Sequence, residues 1–169
     1  MIRKINTKAP LQRKIDLIIE QFEVSHQNKA NRALQWLCIP LITFGILGMV
    51  WSIPFPHLTF LGRYNGFVNW ASFIIAFAIY YYYKLSPLLS YGILLFVFAC
   101  SAGIVTLENL HKSNSWPEMG LVCLGLALIG VIVKVVGVKM EHTAPDGATF
   151  AKSLLDGPLW LTYLLFRKA

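Results

Sequence analysis

Residues 120–138 read GLVCLGLALIGVIVKVVGV, a run with no acidic residue and a single base, Lys134. At about 1.5 Å per residue, a helix of this length comes close to the ~30 Å of a bilayer's hydrocarbon. Three further segments have the same character: Leu37–Ile53, Phe67–Tyr83 and Leu85–Leu107. The whole chain has 169 residues, 56% of them hydrophobic, and a mean hydropathy of +0.58. A domain this small has too little interior to hide that much apolar surface from water. The sequence therefore predicts an all-α, multi-pass membrane helix bundle, one domain over 1–169, with four transmembrane helices at 37–53, 67–83, 85–107 and 120–138. Trp36, Trp51, the run Tyr80–Tyr83, Trp116 and Trp160 stand at or near the ends of apolar segments, where amphipathic rings sit at headgroup level.

The flanks complete the expected layout. Over residues 8–26, Leu11, Ile15, Ile18, Ile19 and Phe22 recur at helical spacing, with Arg13, Lys14, Asp16 and Glu20 mostly opposite; this predicts an N-terminal amphipathic helix. The run LLDGPLWLTYLLF at Leu154–Phe166 is interrupted by Asp156, Gly157 and Pro158, so 150–166 is expected to be an interfacial or re-entrant segment. Arg3, Lys4, Lys8, Arg13, Lys14, Lys29 and Arg32 precede the first span, and Lys139, Lys152, Arg167 and Lys168 follow the fourth. The two opposite loops hold only Arg63 and Lys112, so the positive-inside rule puts both termini in the cytoplasm. No signal-peptide pattern opens the chain, which leaves targeting to the first span. The net charge of +7 is accounted for by juxtamembrane bases facing anionic lipid. No aromatic-interleaved basic surface accompanies it, so nucleic acid is not an expected partner. Cys38, Cys100 and Cys123 lie in apolar runs without CxxC spacing and read as packing residues. No Ser-His-Asp order, phosphate loop or paired zinc motif is present.

Chemistry concentrates where the first span begins, VSHQNKANRALQWLCIP at 24–40. In one unbroken helix His26 and Gln35 would point about 180° apart. Asn28 is a good N-cap residue, so a break near His26–Asn28 is expected. Asn31 and Gln35 then share a face one turn apart, with His26 folded over them. Two readings stay open: a pocket at the cytoplasmic mouth of the bundle, or groups that only cap helix ends. At the other end of the chain Lys134 lies near Lys139 and is expected to snorkel to the cytoplasmic surface, although an ionisable residue at that depth is also a functional candidate. Glu141 and His142 follow on the same side. His57 and His111 fall in the opposite loops.

The stretch SHQNKANRALQWLCIPLITFGILGMVWSIP (Ser25–Pro54), with GVKMEHTAP (Gly137–Pro145) and DGPLWL (Asp156–Leu161), resembles the bacterial branch of the Mpo-like family over about Phe22–Lys168. The resemblance implies an Fe(II)-dependent 2-hydroxy-fatty-acid dioxygenase of fatty-acid α-oxidation, an oxidoreductase of lipid metabolism in the bacterial inner membrane, with bilayer lipid and a 2-hydroxy fatty acid or other acyl lipid as partners. His26, Asn28, Asn31 and Pro40 keep the family's first motif, and Gly137, Glu141 and Pro145 keep the second. Gln35 and Val138 stand where the resemblance expects histidines, and Lys134 where it expects glutamine. Non-haem iron ordinarily takes about three protein ligands, two His and a carboxylate, so the resemblance implies Fe(II) held weakly or not at all. The candidate metal ligands are His26, His142 and Glu141; the candidate catalytic residues are Asn31 and Glu141; the candidate substrate contacts are Gln35, Lys134 and Lys139. Three functions follow as alternatives: an active dioxygenase, an inactive descendant that binds a lipid or fatty acid, and a structural partner for other helices.

Overall fold

The computed structural model describes residues 10–56, 59, 60, 62, 68–114, 117–141 and 147–168, and these are helical wherever they are regular. The order is α1 (Pro10–Ser25), α2 (Lys29–Trp51), α3 (Trp70–Leu85), α4 (Pro87–Asn114), α5 (Met119–Lys139) and α6 (Gly147–Lys168). Three of them, α2, α4 and α5, are long and apolar enough to cross a membrane. The 16 residues of α3 rise only about 24 Å, short of a full hydrocarbon crossing.

Large apolar side chains cover the outside of the bundle. Phe77 is 73% exposed, Leu95 71% and Ile132 62%. Meanwhile Asn31, Gln35 and Lys134 are fully buried. This inversion suits a hydrocarbon solvent, in which apolar groups need no hiding and polar groups do.

The most extensive helix contact joins α2 to α5. The buried residues of α2 include Asn31, Gln35, Cys38, Ile42 and Gly45, and those of α5 include Cys123, Ala127, Gly130, Lys134 and Gly137. Both sets alternate steps of four and three, the spacing of a knobs-into-holes seam. A Cβ placed on Gly45 would meet Ala127, on Gly48 Cys123, on Gly130 Ile42, and on Gly137 Asn31. The two helices are therefore antiparallel, and small residues bring their backbones close. The polar members of the seam all lie at the end carrying the α2 N-terminus.

Local signals set the other boundaries. Asn69 and Ser72 form a reciprocal capping box at the start of α3. Ser86 alone, in an extended conformation, separates α3 from α4, and Pro87 opens α4 at the position where a missing N–H costs nothing. The apolar face of α1, Ile15, Ile18, Ile19 and Phe22, is buried, so this amphipathic helix packs on the bundle, against α6 and α3.

Asp156, Gly157 and Pro158 do not interrupt the last apolar run, because α6 continues through Pro158 for 22 residues. The Tyr82 hydroxyl donates to the Leu155 carbonyl at 2.7 Å, in the turn that the proline disturbs. Gly157 lets Ile39 of α2 approach to within 2.9 Å of where a Cβ would stand. Proline and glycine are accommodated by neighbours rather than by ending the helix.

Candidate functional site

The chain breaks at the polar entrance of α2. α1 ends at Ser25 and α2 starts at Lys29. Asn28 caps α2, its Oδ1 accepting from Ala30 N at 2.9 Å. The same residue ties the two ends of the seam together: its backbone N–H donates to Glu141 Oε1 at 3.1 Å and its Nδ2 to the Met140 carbonyl at 3.2 Å.

From Glu141 a line of side chains runs inward. Asn31 Nδ2 donates to Glu141 Oε1 at 2.7 Å. Gln35 Nε2 donates to Asn31 Oδ1 at 3.0 Å, and Lys134 Nζ donates to Gln35 Oε1 at 3.2 Å. All the donors point the same way, so two amide dipoles lie head to tail between an ammonium and a carboxylate. Aligned bonds polarise one another in a medium of low dielectric. Cys38 Sγ also donates to Gln35 Oε1, at 3.3 Å. Gly137 makes the relay possible, since a Cβ there would overlap Asn31 Oδ1.

Lys134 is thus not a snorkelling lysine. It is fully buried, turned across the seam onto Gln35, and lies 5.5 Å from the centroid of the Phe150 ring. Snorkelling would require the side chain to run toward Lys139 at the exposed helix end; Gln35 on the facing helix offers a nearer polar partner instead.

His26 is buried too. Nδ1 meets the Phe22 carbonyl at 2.8 Å, and the ring stacks on Phe22 with centroids 4.2 Å apart. Asn31 donates to Glu141 and accepts from Gln35, while the Phe22 carbonyl and ring orient the imidazole. Burial holds the His26 pKa below its ordinary value; the Phe22 carbonyl opposes this and the Lys134 charge adds to it. Burial raises the Glu141 carboxyl, but the hydrogen bonds from Asn31, Asn28 and Gln27 outweigh it and keep the group below the usual carboxylate value.

Iron can be tested against this donor set. His26 and Glu141 lie within electrostatic reach of each other. Gln35 has both ends of its amide committed, Val138 offers no donor, and Lys134 is turned onto Gln35. Among the described residues no group of three metal-ligating side chains forms. His142, the remaining candidate, and His57 lie outside the described residues.

An aromatic ladder escaped the sequence reading. Phe22 stacks on Trp160 at 4.9 Å, Trp36 lies 6.4 Å from the same ring, and the Arg32 guanidinium sits 5.9 Å above it while pairing with Glu23 at 3.1 Å. The spacing of Phe22 on the apolar face of α1 was visible; its partner on α6, more than 130 positions away, was not. No family model matches the chain, and no match is found among curated proteins or solved structures.

Proposed function

We propose that this chain is a four-span membrane protein of Mpo-like descent, with both termini in the cytoplasm, that holds the carboxylate of a fatty acid against Lys134 without relying on iron. The observation that carries this reading is the coordination of Lys134. An ammonium has three N–H bonds to give, and among the described residues one oxygen, Gln35 Oε1, receives one of them. The relay to Glu141 offsets part of the charge, and the Phe150 face part of the rest. An anion arriving under Phe150 would satisfy the remaining donors in a setting where charge-assisted bonds are strong. An apolar cavity of about 200 Å³ reaches Leu154, one turn beyond Phe150 on α6, and is lined by Ile42, Ile74, Ile93 and Phe96; it takes the acyl chain. α3 serves as the fourth span, its shortness met by Trp70 and the tyrosines at its ends. Lys139, exposed at the same mouth, adds long-range attraction.

Binding of a 2-hydroxy fatty acid and its unsubstituted analogue to the detergent-purified protein tests this. Lys134→Gln, which restores the residue the resemblance expects, should weaken both by at least about tenfold, and Lys139→Gln by no more than about threefold. Unchanged affinity in Lys134→Gln would sink the proposal.

A dioxygenase reading keeps one observation on its side: with Nδ1 tied to the Phe22 carbonyl, His26 presents Nε2 as a ligand atom. Gln35→His with Val138→His should then raise iron content and 2-hydroxy-fatty-acid-dependent O₂ uptake above the unmodified chain. Stoichiometric iron with full turnover in the unmodified chain would favour that reading over ours.

A further inference from the structure

A cleft of about 610 Å³ opens between α1, with His26 and Phe22 on its wall, and Lys152, Ser153 and Asp156 of α6. Asp156 lines it. The residue is 9% exposed, and among the described residues nothing donates a hydrogen bond to its carboxylate. Burial pushes its carboxyl above the ordinary range, with Lys152 opposing. Its oxygens are not among the fully enclosed atoms of the protein; they open onto the cleft, where a cation from outside the chain can reach them.

Lys152 stands one turn earlier on the same face of α6. Its ammonium crosses the cleft to Gln21 Oε1 at 2.8 Å and forms no ion pair with Asp156 among the described residues. The cleft wall thus presents one cation, Lys152, and two carboxylates, the largely enclosed Asp156 of α6 and the exposed Glu20 of α1. On the α1 side the rim mixes apolar Leu17 and Val24, 57% and 60% exposed, with the polar Glu20 and Gln21, beside the exposed Lys14. This is the composition of a helix at the headgroup boundary.

We propose that the cleft binds a phospholipid with a primary-amine zwitterionic headgroup, the phosphoethanolamine class, with its ammonium on Asp156, its phosphate on Lys152 and its chains over Leu17 and Val24. A primary ammonium has N–H bonds to give the carboxylate. A trimethylammonium has none, and a purely anionic headgroup would face Asp156 with like charge. The site shares the membrane setting of the fatty-acid reading but neither Lys134 nor its cavity, so each can fail without the other.

Lipid uptake by the full chain, purified in detergent and followed by native mass spectrometry, tests the proposal. The probes are phosphatidylethanolamine, phosphatidylcholine and phosphatidylglycerol of one acyl composition, with glycerophosphoethanolamine as the chain-free control. Phosphatidylethanolamine should bind at least about tenfold more tightly than the other two and than the chain-free control. Asp156→Asn should bring it down to the phosphatidylcholine level. Lys152→Gln should weaken phosphatidylethanolamine and phosphatidylcholine alike by about threefold, since the phosphate is common to both. Without lipid, Asp156→Asn should melt no lower than the parent, because no hydrogen bond or ion pair of the described residues is lost with the carboxylate, and should lose the rise in melting temperature that phosphatidylethanolamine gives the parent. Equal uptake of the three lipids, preference for phosphatidylglycerol, or chain-free binding as tight as the lipid would overturn the proposal. So would an Asp156→Asn variant that binds phosphatidylethanolamine like the parent.

Discussion

Glu141 is the charged end of the relay and at the same time an anchor for the first turn of α2. Its oxygens accept from Asn31 Nδ2 and from the Asn28 backbone, and its folded pKa lies below the ordinary carboxylate value. As pH falls, the unfolded chain takes up the proton first. The stabilisation from Glu141 is therefore complete above about pH 4.5 and is lost as pH drops through the folded pKa. The thermal midpoint of the purified protein should fall between about pH 5 and pH 3, and Glu141→Gln should flatten the part of that fall owed to this group. Identical pH profiles for parent and variant would show that the carboxylate contributes nothing as a charge. The presence of Glu141, Asn31, Gln35 and Lys134 near one membrane face was legible in the sequence. Their order along one hydrogen-bonded line was not, because it depends on which residue of α5 faces which residue of α2.

At the scale of elements, the seam between α2 and α5 organises the molecule. Its small residues set the helix separation, and that separation puts Lys134 within reach of Gln35. Gly137 and Gly125 lie on the same helix with opposite surroundings: a Cβ on Gly137 would strike Asn31, whereas a Cβ on Gly125 meets nothing within 4 Å. Gly137→Ala should cost about 1–3 kcal/mol by overpacking and by breaking the bond from Gln35 to Asn31. Gly125→Ala should be neutral or slightly stabilising, since alanine is the better helix former. Chemical unfolding in mixed micelles checks the pair, and equal stabilities would mean that the seam tolerates a wider spacing. Patterning foretold α1 and the apolar runs well, because both rest on periodicity within one segment. In α6 the helix runs on through Gly157 and Pro158, with the Tyr82 hydroxyl of α3 on the Leu155 carbonyl and Ile39 of α2 against Gly157.

For the molecule as a whole, the inverted surface and the distribution of bases bear on the same question. α2 and α5 run antiparallel, so the α2 N-terminus and the α5 C-terminus share one end, the end with the greater number of Lys and Arg residues. Single cysteines at Gln27 and Ser113, both exposed, report on opposite ends. The native Cys38, Cys100 and Cys123 are buried and give little background. In intact cells an impermeant thiol reagent should label Ser113→Cys and spare Gln27→Cys until the membrane is opened. Labelling of both from outside, or of Gln27→Cys alone, would reverse or abolish the four-span layout.

Composition and periodicity by themselves determined that the chain is helical, that its helices are apolar enough for a bilayer, and where the polar entrance and its Asn28 break fall. These follow from free energies that accumulate along the chain, through apolar transfer and local capping. Tertiary structure alone decided that Lys134 turns inward, that His26 answers to Phe22 rather than Asn31, and that Asp156 is left facing a cleft. Each of these is a choice between partners far apart in sequence, and it is settled by the distance at which the helices pack.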